Sequence, residues 1–176
     1  MSLTVILSFV VTTIISALMI PLVIKAGNQL GIVARIGGYA IYLSSLIGSA
    51  LFLKADHQIN AIMVAGFIIF MVGLYDDSHD LSPKVKLIFE VIAALIVIVY
   101  GEIYIKGFGY FPSDAMTFLS GVVTLFWIVG ITNAINLIDG LDGLSAGISI
   151  IVLVTISMTS LLSGRSDIAS LSLILA

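Results

Sequence analysis

The chain has 176 residues, of which 60% are hydrophobic and only 10% are charged, and its mean hydropathy is +1.26. A soluble domain has about 25% charged residues, so the composition excludes a soluble protein and favours one embedded in a bilayer. The net charge of −3 without any basic run excludes a nucleic-acid-binding surface, and the absence of cysteine excludes disulfides and thiolate metal sites.

Six apolar runs approach the length of about 20 residues that a helix needs to cross a bilayer core. They are residues 3–24, 36–53, 59–75, 85–100, 117–138 and 144–162, and a seventh run begins at 168. Backbone groups in lipid must pair internally, so each run is predicted to be a helix. The predicted fold is an all-α polytopic membrane helical bundle with about six transmembrane helices plus the start of a seventh. We expect residues 1–176 to form a single transmembrane domain and to be incomplete at the C-terminus.

Five of the ten acidic residues lie in two short segments. These five are Asp76, Asp77, Asp80, Asp139 and Asp142. Two predicted helices separate the segments, and an even number of crossings returns the chain to the same face, so we expect the carboxylates to meet. Like charges repel unless cations neutralise them, and carboxylates suit Mg²⁺ or Mn²⁺. Because Mg²⁺ usually keeps positions for substrate phosphates, a phosphorylated substrate is expected.

A new helix is predicted to begin just after the first acidic segment. Ser82 can cap it and Pro83 fits its first position. Lys84 and Lys86 then lie near its N-terminus, where the helix dipole disfavours cations. Their placement indicates an anionic partner, either the nearby carboxylates or a phosphate. Glu90 lies one turn beyond Lys86, so an ion pair between these two side chains is the simplest expectation.

The second acidic segment continues a pattern of polar residues at every third position. Asn133, Asn136, Asp139 and Asp142 follow this spacing, which makes a slowly winding stripe along one side of a helix. The two asparagines are predicted to lie in the last turns of a membrane helix and to face other helices or a polar cavity. Polar groups are costly at that depth, so a functional role is the default interpretation.

Three segments resemble polyprenyl-phosphate N-acetylhexosamine-1-phosphate transferases. GLYDDSHDLSPKVKL resembles the first aspartate-rich motif of that family, NAINLIDGLDGLSAG the second, and ARIGGYAIYLS a Pro-Arg-x-Gly-Gly segment that opens the second helix. The resemblance extends over nearly the whole chain in the right order. ARIGG and the third acid of DDSHD are closer to the undecaprenyl-phosphate GlcNAc-1-phosphate transferase branch than to the MurNAc-pentapeptide translocases of the same superfamily.

The resemblance implies a reaction and its partners. A sugar-1-phosphate, expected to be GlcNAc-1-phosphate, passes from a UDP-N-acetylhexosamine to a polyprenyl phosphate lipid, and UMP is released. Mg²⁺ (or Mn²⁺) is the implied cofactor. The implied location is the cytoplasmic (inner) membrane with the site facing the cytoplasm. The implied process is the synthesis of cell-wall polymers, lipopolysaccharide or teichoic acid. Whether the protein forms a homodimer stays open.

The resemblance also assigns roles by motif position. It implies catalytic roles for Asp76, Asp77, Asp139 and Asp142, and it places Asp76, Asp77 and Asp139 at the metal. It implies substrate contacts for Asp80, Lys86, Asn133 and Asn136.

The chain departs from the family pattern in three places. The first cytoplasmic loop lacks an Asp-x-Pro and an Arg-Lys-x-His stretch, and a later Gly-Asp motif and a histidine-rich loop are absent. We therefore expect an N-terminal portion of a longer enzyme, which alone is inactive in transfer. Two alternatives stay open: a divalent-cation transporter, and an inactive fragment or paralogue with a structural role. Ionisable groups at the membrane edge rather than the midplane favour the enzyme over the transporter.

Overall fold

The computed structural model describes residues 3–30, 37–54, 56–106, 114–139 and 143–176. Their helices, in chain order, are α1 (Leu3–Leu30), α2 (Gly37–Phe52), α3 (His57–His79), α4 (Pro83–Leu95), α5 (Asp114–Ile138), α6 (Leu144–Leu162) and α7 (Ser166–Leu175). Helix α4 continues directly into a π-helical turn at Ile96–Tyr100. Within these ranges no strand occurs, so the prediction of an all-α membrane protein is confirmed.

Four helical stretches are long and apolar enough to cross a membrane. They are Leu3–Asn28, His57–Asp76, Thr117–Ile138 and Leu144–Leu162. The predicted count of about six spanning helices is therefore higher than the four found among the described residues. Helix α2 has 16 residues, a rise of about 24 Å against a bilayer core of about 30 Å. Helix α4 has only 13 residues, and three of its first eight, Lys84, Lys86 and Glu90, are charged.

The described helices divide into two compact units, which are considered separately. The first unit consists of Met1–Lys54 and Asp142–Ala176, and the second of Ala55–Leu141. Helices α1, α2, α6 and α7 belong to the first unit, and α3, α4 and α5 belong to the second. The prediction of one domain is not decided by this division and stays a prediction.

Small side chains form much of the buried interior of the first unit. Helix α7 packs against α1, α2 and α6, and α1 also packs against α2. At Gly48, an added Cβ would lie 2.3 Å from Thr12 Oγ1 and 3.2 Å from the Ile174 side chain. Three helices therefore converge at this glycine, as is usual where small residues let membrane helices approach closely. The small buried residues of this interior include Ser8, Thr12, Ala40, Ser44, Ser45, Ser49, Ala169, Ser170 and Ser172.

Helix α4 is the common neighbour of the other helices in the second unit. It packs against α3 on one side and α5 on another, and the π-helical turn also contacts α3. An added Cβ at Gly101, directly after that turn, would lie 2.7 Å from Ala61 Cβ, so the backbone approaches α3 closely there. Farther along, the Ile105 N–H donates to Thr124 Oγ1 of α5 at 2.8 Å. The short α4 is thereby held between two spanning helices.

Candidate active site

The turn between α3 and α4 is built around Asp76. Helix α3 ends at His79, and Asp80 adopts the left-handed conformation (φ 46°, ψ 71°) while its N–H donates to the Asp76 carbonyl oxygen at 3.0 Å. Aspartate tolerates this conformation better than most residues other than glycine. Pro83 opens α4 as predicted. Ser82 has the extended backbone of a capping residue, but its hydroxyl makes no capping hydrogen bond, so that part of the prediction is wrong.

The Asp76 carboxylate joins the turn to a lysine of the next helix. Its Oδ1 accepts the Leu81 N–H at 2.8 Å, and its Oδ2 lies 2.5 Å from Lys86 Nζ. The two side chains are only 25% and 30% exposed, so solvent screens this ion pair less than a surface pair. Lys86 thus has the anionic partner that its position near a helix N-terminus predicted. The expected ion pair between Lys86 and Glu90 does not form, because Lys86 is directed at α3 instead.

Glu90 is a polar residue of the site whose role the sequence prediction missed. Its side chain is buried, at 6% exposure, within α4. Its Oε2 accepts a hydrogen bond from Asn133 Nδ2 of α5. An acidic residue well inside an apolar run was the available indication of a role, because such a group normally has an interior partner. Sequence spacing favours Lys86, the nearest cation along the helix, as the partner of Glu90, but the partner in the structure lies on a neighbouring helix.

The Glu90–Asn133 contact fixes how α4 and α5 run relative to each other. Glu90, near the middle of α4, contacts Asn133, whereas Ile105, beyond the end of that helix, contacts Thr124, which lies nine residues earlier in α5 than Asn133, so the two helices run antiparallel. The α3–α4 turn lies at this same end of the unit. The structure therefore brings Asp76 and Lys86 of the first motif to the same end as Asn133 of the second.

Other predicted site residues are exposed around this end. Asp80, Asn136 and Asp139 are all exposed, and the Asp139 N–H donates to the Ile135 carbonyl oxygen at 3.1 Å as α5 finishes. These three side chains are not buried by the described part of the protein, so they are open to a substrate contact.

The metal site stays a prediction. Among the described side chains, no group of three or more aspartate, glutamate, histidine or cysteine residues lies close enough together to hold a metal ion. Asp77 belongs to the last turn of α3, but its side chain lies outside the described residues, as does the whole of Asp142.

Comparison with known proteins gives a consistent set of matches. Residues 59–176 match the family described as glycosyl transferase family 4. A probable undecaprenyl-phosphate N-acetylglucosaminyl 1-phosphate transferase of Bacillus subtilis is 34% identical over 190 aligned residues, covering 97% of this chain and 52% of that protein. The chain thus spans about half the length of this relative.

Two further relatives cover less of the chain. An undecaprenyl-phosphate alpha-N-acetylglucosaminyl 1-phosphate transferase of Escherichia coli K12 is 27% identical over 143 residues, covering 79% of this chain and 39% of that protein. A phospho-N-acetylmuramoyl-pentapeptide-transferase of Limosilactobacillus reuteri is 40% identical over 91 residues, covering 46% of this chain and 27% of that protein.

Proposed function

Because the chain belongs to glycosyl transferase family 4, we propose that it forms the acidic, phosphate-binding part of a polyprenyl-phosphate N-acetylglucosamine-1-phosphate transferase. The observation that supports this most is the position of α4. Lys86 of this helix pairs with Asp76 of the first motif, and Glu90 pairs with Asn133 of the second. A cation, carboxylates and an amide thus meet at one end of a membrane unit, as a reaction between a soluble nucleotide sugar and a lipid phosphate requires.

The proposed reaction joins two anions. An oxygen of the polyprenyl phosphate attacks the phosphorus that bears the sugar of UDP-GlcNAc. The bond between that phosphorus and the UMP oxygen breaks, and UMP leaves with its electron pair. Catalysis of phosphoryl transfer depends mainly on alignment and on neutralising charge. The Lys86 ammonium, held by Asp76, supplies a positioned positive charge for a phosphate, while Asp80, Asn133 and Asn136 contact the substrate.

The donor chemistry at this end suits Mg²⁺, with Mn²⁺ as the alternative, because carboxylate and amide oxygens are hard ligands. Both Asp76 oxygens already have protein partners, Leu81 N–H and Lys86. This favours Asp76 as the residue that orders Lys86, so we propose Asp77 and Asp139 as the main metal carboxylates, and a catalytic role for Asp142 stays part of the proposal. A bound Mg²⁺ would neutralise phosphate charge.

The location is the one that the family resemblance implies: a site facing the cytoplasm in the inner membrane, with the product lipid serving cell-envelope polysaccharide synthesis. A divalent-cation transporter has less support because the Asp76–Lys86 pair lies at a helix end rather than mid-span. A structural role for an inactive chain is the outcome that a failed assay would favour.

Transfer activity in membranes tests the proposal. Membranes containing the native gene product are incubated with labelled UDP-GlcNAc, Mg²⁺ and undecaprenyl phosphate. We expect labelled lipid and UMP in equal amounts, and a loss of about 100-fold or more in Asp77→Asn. Asp56→Asn is the control, because Asp56 pairs with His57 at the start of α3, the other end of that helix. No labelled lipid in the wild type, or an unaffected Asp77→Asn, contradicts the proposal.

The purified 176-residue chain provides a second comparison. It spans about half of its Bacillus relative, and we expect it to bind nucleotide but not to transfer sugar phosphate. Robust Mg²⁺-dependent release of UMP by this chain alone would contradict that expectation and show that the described helices suffice.

A further inference from the structure

We infer that Glu90 is a positioning residue, whose carboxylate holds the Asn133 side-chain amide so that Asn133 Oδ1 is presented to a ligand of the acidic site. The identity of that ligand rests on the proposed function. The contact itself rests only on the packing of α4 against α5.

The polarity of the Asn133 amide follows from its partners. Nδ2 has two hydrogens, and they are directed at Glu90 Oε2 and at the Val129 carbonyl oxygen, the latter at 2.9 Å. A carboxylate and a backbone carbonyl accept hydrogen bonds and cannot donate them. Rotating the amide by 180° would place Oδ1 against two acceptors, so only one orientation is favourable. Both donors of Asn133 are thereby occupied.

Asn133 is left with an oxygen for a ligand. Its side chain is exposed, and no residue in the described part of the chain donates to Oδ1. An anion that accepts from one end of an amide polarises it and makes the oxygen at the other end a stronger acceptor. The chemistry that fits is a positively polarised partner: a divalent cation, or an O–H or N–H donor of the nucleotide sugar.

A purely structural role explains Glu90 poorly. Its side chain is 6% exposed among apolar helices, and the nearby cation of α4, Lys86, is paired with Asp76. A buried carboxylate without a cationic partner is unfavourable, and an apolar residue of similar size would pack α4 at lower cost. What the carboxylate provides and an apolar residue does not is control over the orientation and polarity of Asn133.

The contact is tested by NMR on the purified chain in detergent micelles. The sequence has four asparagines, Asn28, Asn60, Asn133 and Asn136, so labelling with ¹⁵N-asparagine gives four side-chain amide pairs. We expect the pair that disappears in Asn133→Asp to show one proton shifted downfield and protected from exchange with water. Glu90→Leu should remove the shift and Glu90→Gln should keep part of it. The control Glu102→Gln should change nothing. An Asn133 pair unaltered by Glu90→Leu overturns the inference.

Exchanging the donor and the acceptor of the Glu90–Asn133 hydrogen bond distinguishes a positioning role of Glu90 from a packing role. Asn133→Asp alone sets two carboxylates against each other. Adding Glu90→Gln restores the hydrogen bond between the two helices, but the donor is now the side chain at position 90 and the acceptor is the one at position 133. The double variant has the same net charge as the wild type and keeps a side-chain oxygen at position 133 for the ligand. We expect Asn133→Asp and Glu90→Leu each to weaken UDP-GlcNAc binding in the presence of Mg²⁺ about 10-fold to 100-fold, and the double variant to recover most of that loss.

The melting temperature of each variant is measured together with its affinity for UDP-GlcNAc. If the double variant recovers its melting temperature but not its affinity, Glu90 is structural and the inference is wrong. If the wild-type chain binds neither Mg²⁺ nor UDP-GlcNAc, the proposed function fails and the role assigned to Asn133 Oδ1 fails with it. If Glu90→Leu binds Mg²⁺ and UDP-GlcNAc as the wild type does, the role inferred for Glu90 is wrong and the proposed function is unaffected.

Discussion

The two units place polar side chains among apolar helices in different ways. In the first unit, buried hydroxyls mostly bond to the backbone of their own helix, as Ser8 does with the Val5 carbonyl and Ser44 with the Ile41 carbonyl, both at 2.9 Å. In the second unit, the side-chain links between helices include charged groups, as in the Lys86–Asp76 pair and in the Glu90 carboxylate that accepts from Asn133. Small side chains whose hydroxyls bond to their own helix let neighbouring helices pack closely. Charged links between helices instead fix side chains at defined positions.

This difference indicates a division of labour. Substitutions in the interior of the first unit should change stability with no specific effect on chemistry. Substitutions in the charged links of the second unit should change transfer far more than stability. Three pairs of variants test this division, from the largest expected effect to the smallest.

The largest effect is expected for transfer at Lys86. Lys86→Met removes the cation that Asp76 holds, and we expect transfer in native membranes to fall about 100-fold or more, because a positioned charge in such a site contributes that much. Lys84→Met is the matched control, since Lys84 is exposed and lies on the same helix two residues earlier. Equal losses in the two variants would mean that general positive charge, and not the Asp76–Lys86 pair, supports the reaction.

A smaller effect, on stability, is expected at the convergence of α1, α2 and α7. Gly48→Ala places a Cβ 2.3 Å from Thr12 Oγ1, so we expect the free energy of unfolding to fall by about 1–3 kcal/mol. Gly147→Ala in α6 has nothing within 4 Å of the added Cβ and should gain up to about 1 kcal/mol from helix propensity. Unfolding in mixed micelles measures both. A neutral Gly48→Ala would show that the three helices are less tightly packed than described.

The smallest effect is expected for a hydroxyl that links two helices of the first unit. Ser157 Oγ donates to the Ala169 carbonyl oxygen of α7 at 3.0 Å, and interhelical hydrogen bonds in membrane proteins contribute about 0.6 kcal/mol on average. Ser157→Ala should lower the free energy of unfolding by about that amount. Ser163→Ala, which loses only a bond to Thr159 at the end of its own helix, should be neutral. If Ser157→Ala lowered the free energy of unfolding by more than about 2 kcal/mol, the two units would not differ as described, because only the charged links should be so costly to break.

The helix ends of the site region were predictable from sequence because local chemistry sets them. Pro83 marked the start of α4, and the predicted run 144–162 coincides with α6 (Leu144–Leu162). The anionic partner of Lys86 was also predictable, because a cation near a helix N-terminus needs one.

The partners of Glu90 and the number of spans were not predictable in the same way. Spacing along the helix favoured Lys86 as the partner of the Glu90 side chain. Asn133 becomes its partner only because α4 and α5 pack antiparallel, which sequence spacing does not show. The predicted count of spans exceeds the number found among the described residues, because an apolar run does not set the length of the helix that forms. Helix α2 is apolar but has only 16 residues, and α4 has only 13 and carries three charged side chains.

The central claim is that α4 and α5 run antiparallel, so that residues of the two motifs lie at one end of the second unit. The chain contains no cysteine, so paired cysteines can be introduced without background. A short bifunctional thiol reagent should cross-link Glu90→Cys/Asn133→Cys and should fail with Glu90→Cys/Phe118→Cys, because Phe118 lies near the start of α5. Cross-linking of the Phe118 pair in place of the Asn133 pair would contradict the arrangement and remove the shared site.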